Sequence, residues 1–222
     1  MDHLQATLHH QRRGDCYRLL SACFYPPMEA VLSEKDLLAG LRNLLRPLAP
    51  EAAEQCALME EAGKTADAVE LAVEHAALFL GPNTLKAPPY GSVYLEEGRR
   101  LMGDTTMAVQ DVYREFGLEI TFHDAPDHII FELEFMGYLC DKAAELANGK
   151  TSSAGELADL LGRQRDFLVR FLASWVPPFC RSMRTDPASP FYQGLANTLE
   201  LFIAAEVRFL DAGAGNNAAV AA

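Results

Sequence analysis

The 222-residue sequence lacks the features of a secreted, membrane-spanning or metal-binding protein. Its five cysteines are odd in number and none stand in a C-x-x-C spacing, so neither a disulfide framework nor a zinc site is expected. No uncharged apolar stretch reaches about 18 residues, the length of a membrane span. The opening segment MDHLQATLHHQRRGD lacks the apolar run of a secretory signal. These absences predict a cytoplasmic protein.

Basic residues are also scarce, because 19 Lys and Arg stand against 31 Asp and Glu, for a net charge of −12. Nucleic acids and anionic membrane surfaces both require clustered Lys and Arg, so neither is an expected partner. The acidic excess favours a basic or arginine-bearing partner, and it also fits an ordinary acidic surface.

Catalytic signatures are missing as well. The sequence contains no G-x-S-x-G, Walker, G-x-G-x-x-G or H-E-x-x-H motif. A hydrolase that uses His128 and a carboxylate remains an alternative, but no nucleophile stands near these residues in sequence. We therefore predict that the protein is not an enzyme and has no catalytic or metal-binding residues.

Helical periodicity dominates, and the predicted fold is an all-α helical bundle without strands. We expect an N-terminal helical group over residues 1–117, a hinge over 118–124, a C-terminal group over 125–212 and a disordered tail over 213–222. If the hinge opens, the two groups could exchange between chains, so a monomer and a domain-exchanged dimer are both open. The predicted helices are Gln11–Phe24, Glu34–Arg46, Pro50–Gly63, Thr65–Leu80, Val93 or Glu96 to Phe116, 125–148, Ser153–Trp175 and Ser189–Leu210.

The segment HDAPDHIIFELEFMGYL is the most informative part of the chain. We expect Asp124 to cap its helix and Pro126 to lie in the first turn. Apolar residues at helical spacing then predict one buried stripe. They are Ile129, Leu133, Met136, Cys140 and Ala143.

The same helix carries four ionisable residues, which are costly to bury without partners. Asp127 and Glu134 are predicted to share one stripe with Phe131 and Tyr138, and His128 and Glu132 lie on the neighbouring one. Such an acidic ledge beside aromatic surface is explained either by ordinary caps and salt bridges or by a ligand.

A second informative segment, LFLGPNTLKAPPYGSVYL, predicts a proline-stiffened loop. Rigid tyrosines on such a loop are typical of peptide contacts. Tyr90 and Tyr94 are therefore predicted to be exposed for binding, with packing between the two helix groups as the alternative.

Together these segments resemble the TorD/DmsD family of cytoplasmic chaperones for molybdenum enzymes. The resemblance rests on L-F-L-G-P at Leu78–Pro82, A-P-P-Y-x-S-V-Y-L at Ala87–Leu95 and P-D-H-I-x-x-E-L-E-F-M at Pro126–Met136. It is supported by W-V-P-P-F at Trp175–Phe179 and F-Y-x-x-L-A at Phe191–Ala196. One departure is the absence of an aromatic residue in the helix before L-F-L-G-P, where relatives often have Trp.

The resemblance implies a chaperone that binds the twin-arginine signal peptide of an apo-enzyme of the dimethyl sulfoxide reductase class. It implies help with insertion of molybdopterin guanine dinucleotide and retention from Tat export. No phosphate loop is visible, so guanine nucleotide is not expected and the chain has no cofactor of its own. The related NarJ branch implies an alternative, an accessory subunit of a membrane-bound reductase. The implied peptide-binding residues are Asp127, His128, Glu132, Glu134, Pro88, Tyr90, Ser92 and Tyr94.

Overall fold

The computed structural model describes residues 3–27, 37–81, 85–120, 124–149, 154–185 and 189–220. Within these ranges the chain is helical without a β-strand, so the all-α prediction is confirmed. The helices are α1 (His3–Ala22), α2 (Leu37–Leu45), α3 (Pro50–Thr65), α4 (Ala68–His75) with a π-helical turn at Ala76–Leu80, α5 (Gly91–Leu95), α6 (Asp104–Glu115), α7 (Ile129–Asn148), α8 (Ala154–Arg170), α9 (Leu172–Arg184) and α10 (Pro190–Val220).

The core is shared by both halves of the chain. Helix α1 packs along α7, and α3 packs along α10, so each of these pairs joins a helix from early in the chain to one from late in the chain. Leu20, Met59, Met136 and Phe202 are all fully buried in this one apolar cluster. Residues 121–123 of the predicted hinge lie outside the described part, and the hinge stays a prediction. The backbone expected to be a disordered tail is helical as far as Val220.

Helix α7 begins later than predicted. Its cap is His128, whose Nδ1 accepts the Ile130 N–H at 3.2 Å, whereas Asp124 accepts the N–H of Ala125, which precedes the helix. The Ile129 N–H donates to the Pro89 carbonyl at 2.8 Å, which holds the loop before α5 against this end. The expected apolar stripe of α7 is confirmed, since all five of its residues are fully buried.

Other boundaries also differ from the sequence prediction, since α1 begins at His3 rather than at Gln11. The helix expected from about residue 93 to Phe116 is broken between α5 and α6, where Gly98 has a φ of 76° that a helix does not allow. The Pro177–Pro178 pair, expected to end a helix, lies inside α9. The preceding helix ends earlier, because Phe171 leaves helical geometry with φ −111° and ψ −90°.

The outer face of α4 is apolar and exposed. Val69 and Val73 are 71% and 66% exposed, and Leu80 at the end of the π-helical turn is 61% exposed. The turn stops at Gly81, whose φ of 76° suits glycine. Large exposed apolar faces on a water-facing helix often mark contact surfaces.

Candidate functional site

Asp127 lies buried beneath the site and does not face solvent. It is fully buried just before α7, where its carboxylate accepts the Ser92 N–H at 2.6 Å and the Thr106 hydroxyl at 2.9 Å. Its carbonyl accepts the Gly91 N–H at 2.9 Å. Since Ser92 lies in α5 and Thr106 in α6, one carboxylate joins three helices.

Glu132 is the second buried carboxyl of α7. Its Oε2 accepts the indole N–H of Trp175 at 3.1 Å, and Oε1 has no hydrogen-bond partner among the described residues. Burial, with a smaller contribution from Asp127, raises the pKa of Glu132 well above its ordinary value. Burial therefore favours the protonated form of Glu132 over the charged carboxylate. A Cβ on Gly91 would lie 3.0 Å from the indole nitrogen, so glycine keeps α5 close to this pair.

The two tyrosines of the loop pack against the site and are only partly exposed. The Tyr94 ring stacks on Trp175 with centroids 5.8 Å apart, and the Tyr90 ring meets His128 edge-on at 5.0 Å. Burial lowers the pKa of His128, which agrees with its unprotonated Nδ1 accepting a backbone N–H. The two tyrosines, predicted to be exposed with packing as the alternative, are half-buried because both rings have aromatic partners. Pro88 and Ser92 are buried beside them.

The prediction that these acids form a ledge along one face of the helix is wrong. Asp127 precedes α7, so it does not share a helical stripe with Glu134. Asp127 and Glu132 point into the protein, whereas Glu134 is exposed. The buried acids are partnered by backbone N–H, hydroxyl and indole donors rather than by lysines or arginines. Whether these residues act in peptide binding stays a prediction.

Two adjoining cavities flank the Phe131 side chain, and we call them together the Phe131 groove. The larger has a volume of about 370 Å³ and the smaller about 260 Å³. The larger is lined by Phe24, Tyr25, Pro26, His75, Phe79, Leu80, Pro89, Asp124, His128, Ile130 and Phe131. The smaller is lined by Tyr113, Leu118, Glu119, Ile120, Phe131, Glu134, Phe135 and Tyr138.

The rim of the Phe131 groove is acidic. Glu119, Asp124 and Glu134 are exposed there, and the described lining includes no lysine or arginine. Burial and the neighbouring Asp124 raise the pKa of Tyr90 to about 12, so this phenol stays neutral. An apolar floor below exposed carboxylates suits a ligand that is both apolar and cationic.

A third cavity of about 650 Å³ lies between α4 and the start of α10. Val69, Val73 and Ala77 line one side of it, and Phe191 lines the other. The π-helical turn connects the two regions, because Leu78 lines this cavity and Leu80 lines the Phe131 groove.

Several site residues were not predicted from the sequence. Thr106 and Trp175 hold the two buried acids, yet they lie 21 and 43 residues from them along the chain. Phe24 and Tyr25 contribute a wall from the end of α1. The only available signal was that a chain with one tryptophan places it in an apolar helix, where its N–H needs a partner.

Comparison with known proteins decides the family. Residues 36–181 match the family described as nitrate reductase delta subunit. The chain is 30% identical over 190 residues to the Tat proofreading chaperone DmsD of Salmonella typhi, covering 84% of this chain and 85% of that protein. The chain belongs to the TorD/DmsD family. As a member of this family it is a molybdoenzyme-maturation chaperone and not an enzyme.

Two further likenesses accompany this match. The chaperone protein TorD of Vibrio cholerae (strain O395) is 27% identical over 214 residues, which cover 90% of this chain and 93% of TorD. A solved structure of a redox enzyme maturation protein from Archaeoglobus fulgidus aligns with a TM-score of 0.47 at 23% identity. That alignment covers 89% of this chain and 93% of the other. None of the helices in the described ranges is long and apolar enough to cross a membrane.

Proposed function

We propose that this TorD/DmsD-family chaperone binds the twin-arginine signal peptide of an apo-molybdoenzyme of the dimethyl sulfoxide reductase class in the cytoplasm. The observation that carries the proposal is the Phe131 groove, an apolar cleft whose rim bears three exposed carboxylates and whose described lining has no lysine or arginine. By holding the leader, the chaperone delays Tat export until the molybdenum cofactor has been inserted.

The two arginines of such a leader fit the rim. A guanidinium group pairs with a carboxylate through two parallel hydrogen bonds, a geometry that lysine does not offer. Asp124 and Glu134 stand at different cavities on either side of Phe131, so each can receive one arginine. The Phe131 ring beside them favours guanidinium stacking, whereas the Tyr138 ring already has the Lys142 ammonium 5.6 Å from its centre.

The apolar part of the leader fits the exposed face of α4. From Leu80 in the groove, this face passes Val73 and reaches Val69 beside the third cavity. Eleven helical residues span roughly 16 Å, and the apolar run of a signal peptide has about 7–15 residues. A helical leader therefore has an apolar track of matching length.

The buried residues of the predicted site position the groove. Asp127 fixes Ser92 and Thr106, while Glu132 fixes Trp175 and through it the Tyr94 ring. We assign direct contact to His128 and Glu134 among the implied residues, with Tyr90 beside them. Pro88, Ser92, Tyr94, Asp127 and Glu132 act by holding these groups in place.

Calorimetry with a synthetic leader peptide tests the proposal. The peptide should bind, and replacement of its Arg-Arg by Lys-Lys should weaken binding because the paired hydrogen bonds are lost. The double variant Asp124→Asn/Glu134→Gln should weaken binding about 10- to 100-fold, which corresponds to about 1.4–2.8 kcal/mol.

A matched control variant distinguishes the loss of the binding site from a general loss of negative surface charge. Glu54→Gln removes an exposed carboxylate from α3 and should leave the affinity unchanged. If the rim variant folds normally and binds the leader as tightly as the wild type, the groove is not the receptor.

A second function is favoured by the description of the matching family, nitrate reductase delta subunit. It is a NarJ-like accessory subunit that stays with a membrane-bound molybdenum reductase. Affinity purification from anaerobic cells distinguishes the two, because a chaperone is found with the precursor only, whereas a subunit is also found with the mature enzyme.

A further inference from the structure

The loop between α5 and α6 carries an unusual exposed sequence. Its residues Gly98-Arg99-Arg100-Leu101-Met102 are all exposed, with Leu101 at 50% and Met102 at 61%. We call this segment the Arg99 loop. It presents two adjacent guanidinium groups followed by two apolar side chains.

The Arg99 loop has a fixed and strained shape. Arg99 and Met102, with φ of 55° and 63°, are the non-glycine residues with positive φ in the described part of the chain. Backbone strain of this kind concentrates at functional positions. The loop is closed by Glu96, whose Oε1 accepts the Thr105 N–H at 2.7 Å. A side chain at Gly103 would collide with that carboxylate.

The Arg99 loop forms no ion pair with the described residues. Nine other Lys and Arg residues form ion pairs, but neither Arg99 nor Arg100 does so with the described residues. The guanidinium carbon of Arg99 lies 5.9 Å from the centre of the Tyr94 ring. In a chain of net charge −12, two adjacent arginines without an ion pair to the described residues suit an acidic partner.

We infer that the Arg99 loop docks into the Phe131 groove of a second copy of this chain and so competes with the leader. The inference rests on the proposed function of the groove. Arg-Arg-Leu-Met has the same chemistry as the proposed ligand, two arginines followed by apolar residues. The groove supplies Asp124 and Glu134 for the arginines and apolar walls for Leu101 and Met102. A net charge of −12 on each copy opposes close approach, so the contact is weak and a leader displaces it.

Sedimentation velocity over a range of concentrations tests the contact. The wild type should self-associate, and Arg99→Gln/Arg100→Gln should weaken association about 10-fold or more. Asp124→Asn/Glu134→Gln should weaken it similarly. An equimolar mixture of these two variants should associate, because one intact groove then meets one intact loop. The control Arg46→Gln/Arg181→Gln, which removes two exposed arginines elsewhere, should match the wild type.

Three results would overturn the inference. The first is that the wild type does not self-associate up to about 1 mM. The second is that Arg99→Gln/Arg100→Gln associates as strongly as the wild type. The third is that this variant changes binding to phosphatidylglycerol vesicles but not self-association. Leader binding is measured separately at low protein concentration, where the loop variant should bind as the wild type does. Leader binding without self-association refutes this inference alone, and loop-dependent association without leader binding refutes the proposed function alone.

Discussion

Two clusters of buried ionisable side chains in this protein are partnered in different ways. Around Arg13, which is fully buried on α1, the charges are balanced: Glu206 of α10 accepts from its guanidinium at 2.8 Å, and Gln164 of α8 accepts at 2.9 Å. Around Asp127 and Glu132, two buried acids have only neutral donors. The first cluster joins helices of the bundle, and the second lies beneath the Phe131 groove.

The difference shows which part of the molecule can respond to its surroundings. The Arg13 guanidinium has partners in Glu206, Gln164 and His10, whose Nδ1 lies 3.0 Å from the guanidinium and whose pKa is lowered to about 3 by burial and by Arg13. The Glu132 carboxyl has a free oxygen and a raised pKa. We expect the Arg13 cluster to be fixed and the groove cluster to change with protonation and ligand.

The largest effect is expected at Arg13. Arg13→Met leaves Glu206 buried without a counter-charge and should lower the free energy of unfolding by about 3–5 kcal/mol in urea denaturation. The double variant Arg13→Met/Glu206→Leu removes both charges and should lose less than the single variant. A single variant as stable as the wild type would show that the pair does not hold the helices together.

Next in size is the loss of Asp127. Asp127→Ala leaves the Ser92 N–H and the Thr106 hydroxyl without an acceptor, at a cost of about 1.5–3 kcal/mol. Thr106→Val removes one of these hydrogen bonds and should cost less. Hydrogen exchange should show the Ser92 amide unprotected in Asp127→Ala, and continued protection there would contradict the assigned contact.

Glu132 should make stability depend on pH in the opposite sense to an ordinary carboxylate. Its folded pKa lies above the ordinary value of 4.5, so between these values the folded state holds a proton that the unfolded state releases. The stability contribution is complete below about pH 4.5 and is lost as pH rises, by up to about 1.4 kcal/mol per unit. Glu132→Gln cannot titrate, so its stability relative to the wild type should increase over this window.

The exposed Glu134→Gln is the control for that experiment, because it removes a carboxylate from the same helix without burial. If the free energies of unfolding of the wild type and Glu132→Gln change in parallel from pH 4.5 to 8, the pKa of Glu132 is not raised. The pH endpoint is set at about 8 because native proteins are generally most stable between about pH 5 and 8.

The smallest effect is expected at Arg18, one turn and a half from Arg13 on the same helix. Its guanidinium donates to Asp141 at 2.7 Å and to Asp15 at 2.7 Å, but its side chain is 36% exposed. Arg18→Gln should cost less than about 1 kcal/mol, and salt should reduce the difference. A loss as large as that of Arg13→Met would mean that burial does not separate the two arginines.

The sequence predicted the helical class and the buried stripe of α7 because both follow from local periodicity. The core position of Cys140 was predicted in the same way, and this residue is fully buried. Family resemblance was equally accessible, since it depends on short motifs such as P-D-H-I.

The site was predicted less well because its contacts are not local. A helical wheel placed Asp127 beside Glu134, whereas the hydrogen bond from Ile129 to Pro89 starts the helix two residues after Asp127. The orientation of Glu132 depends on Trp175 from a helix much later in the chain. Periodicity cannot reveal such pairs, because the donor and the acceptor lie on different elements.

Trp175 gives this chaperone a built-in optical reporter. It is the single indole of the chain, it is fully buried, and its N–H donates to Glu132, whose pKa is raised by burial. Ultraviolet emission from this fluorophore should therefore change in wavelength or intensity when that carboxyl ionises, or when an occupant of the groove displaces the stacked Tyr94 ring. Titrations of acid and of peptide can thus be followed with unlabelled protein.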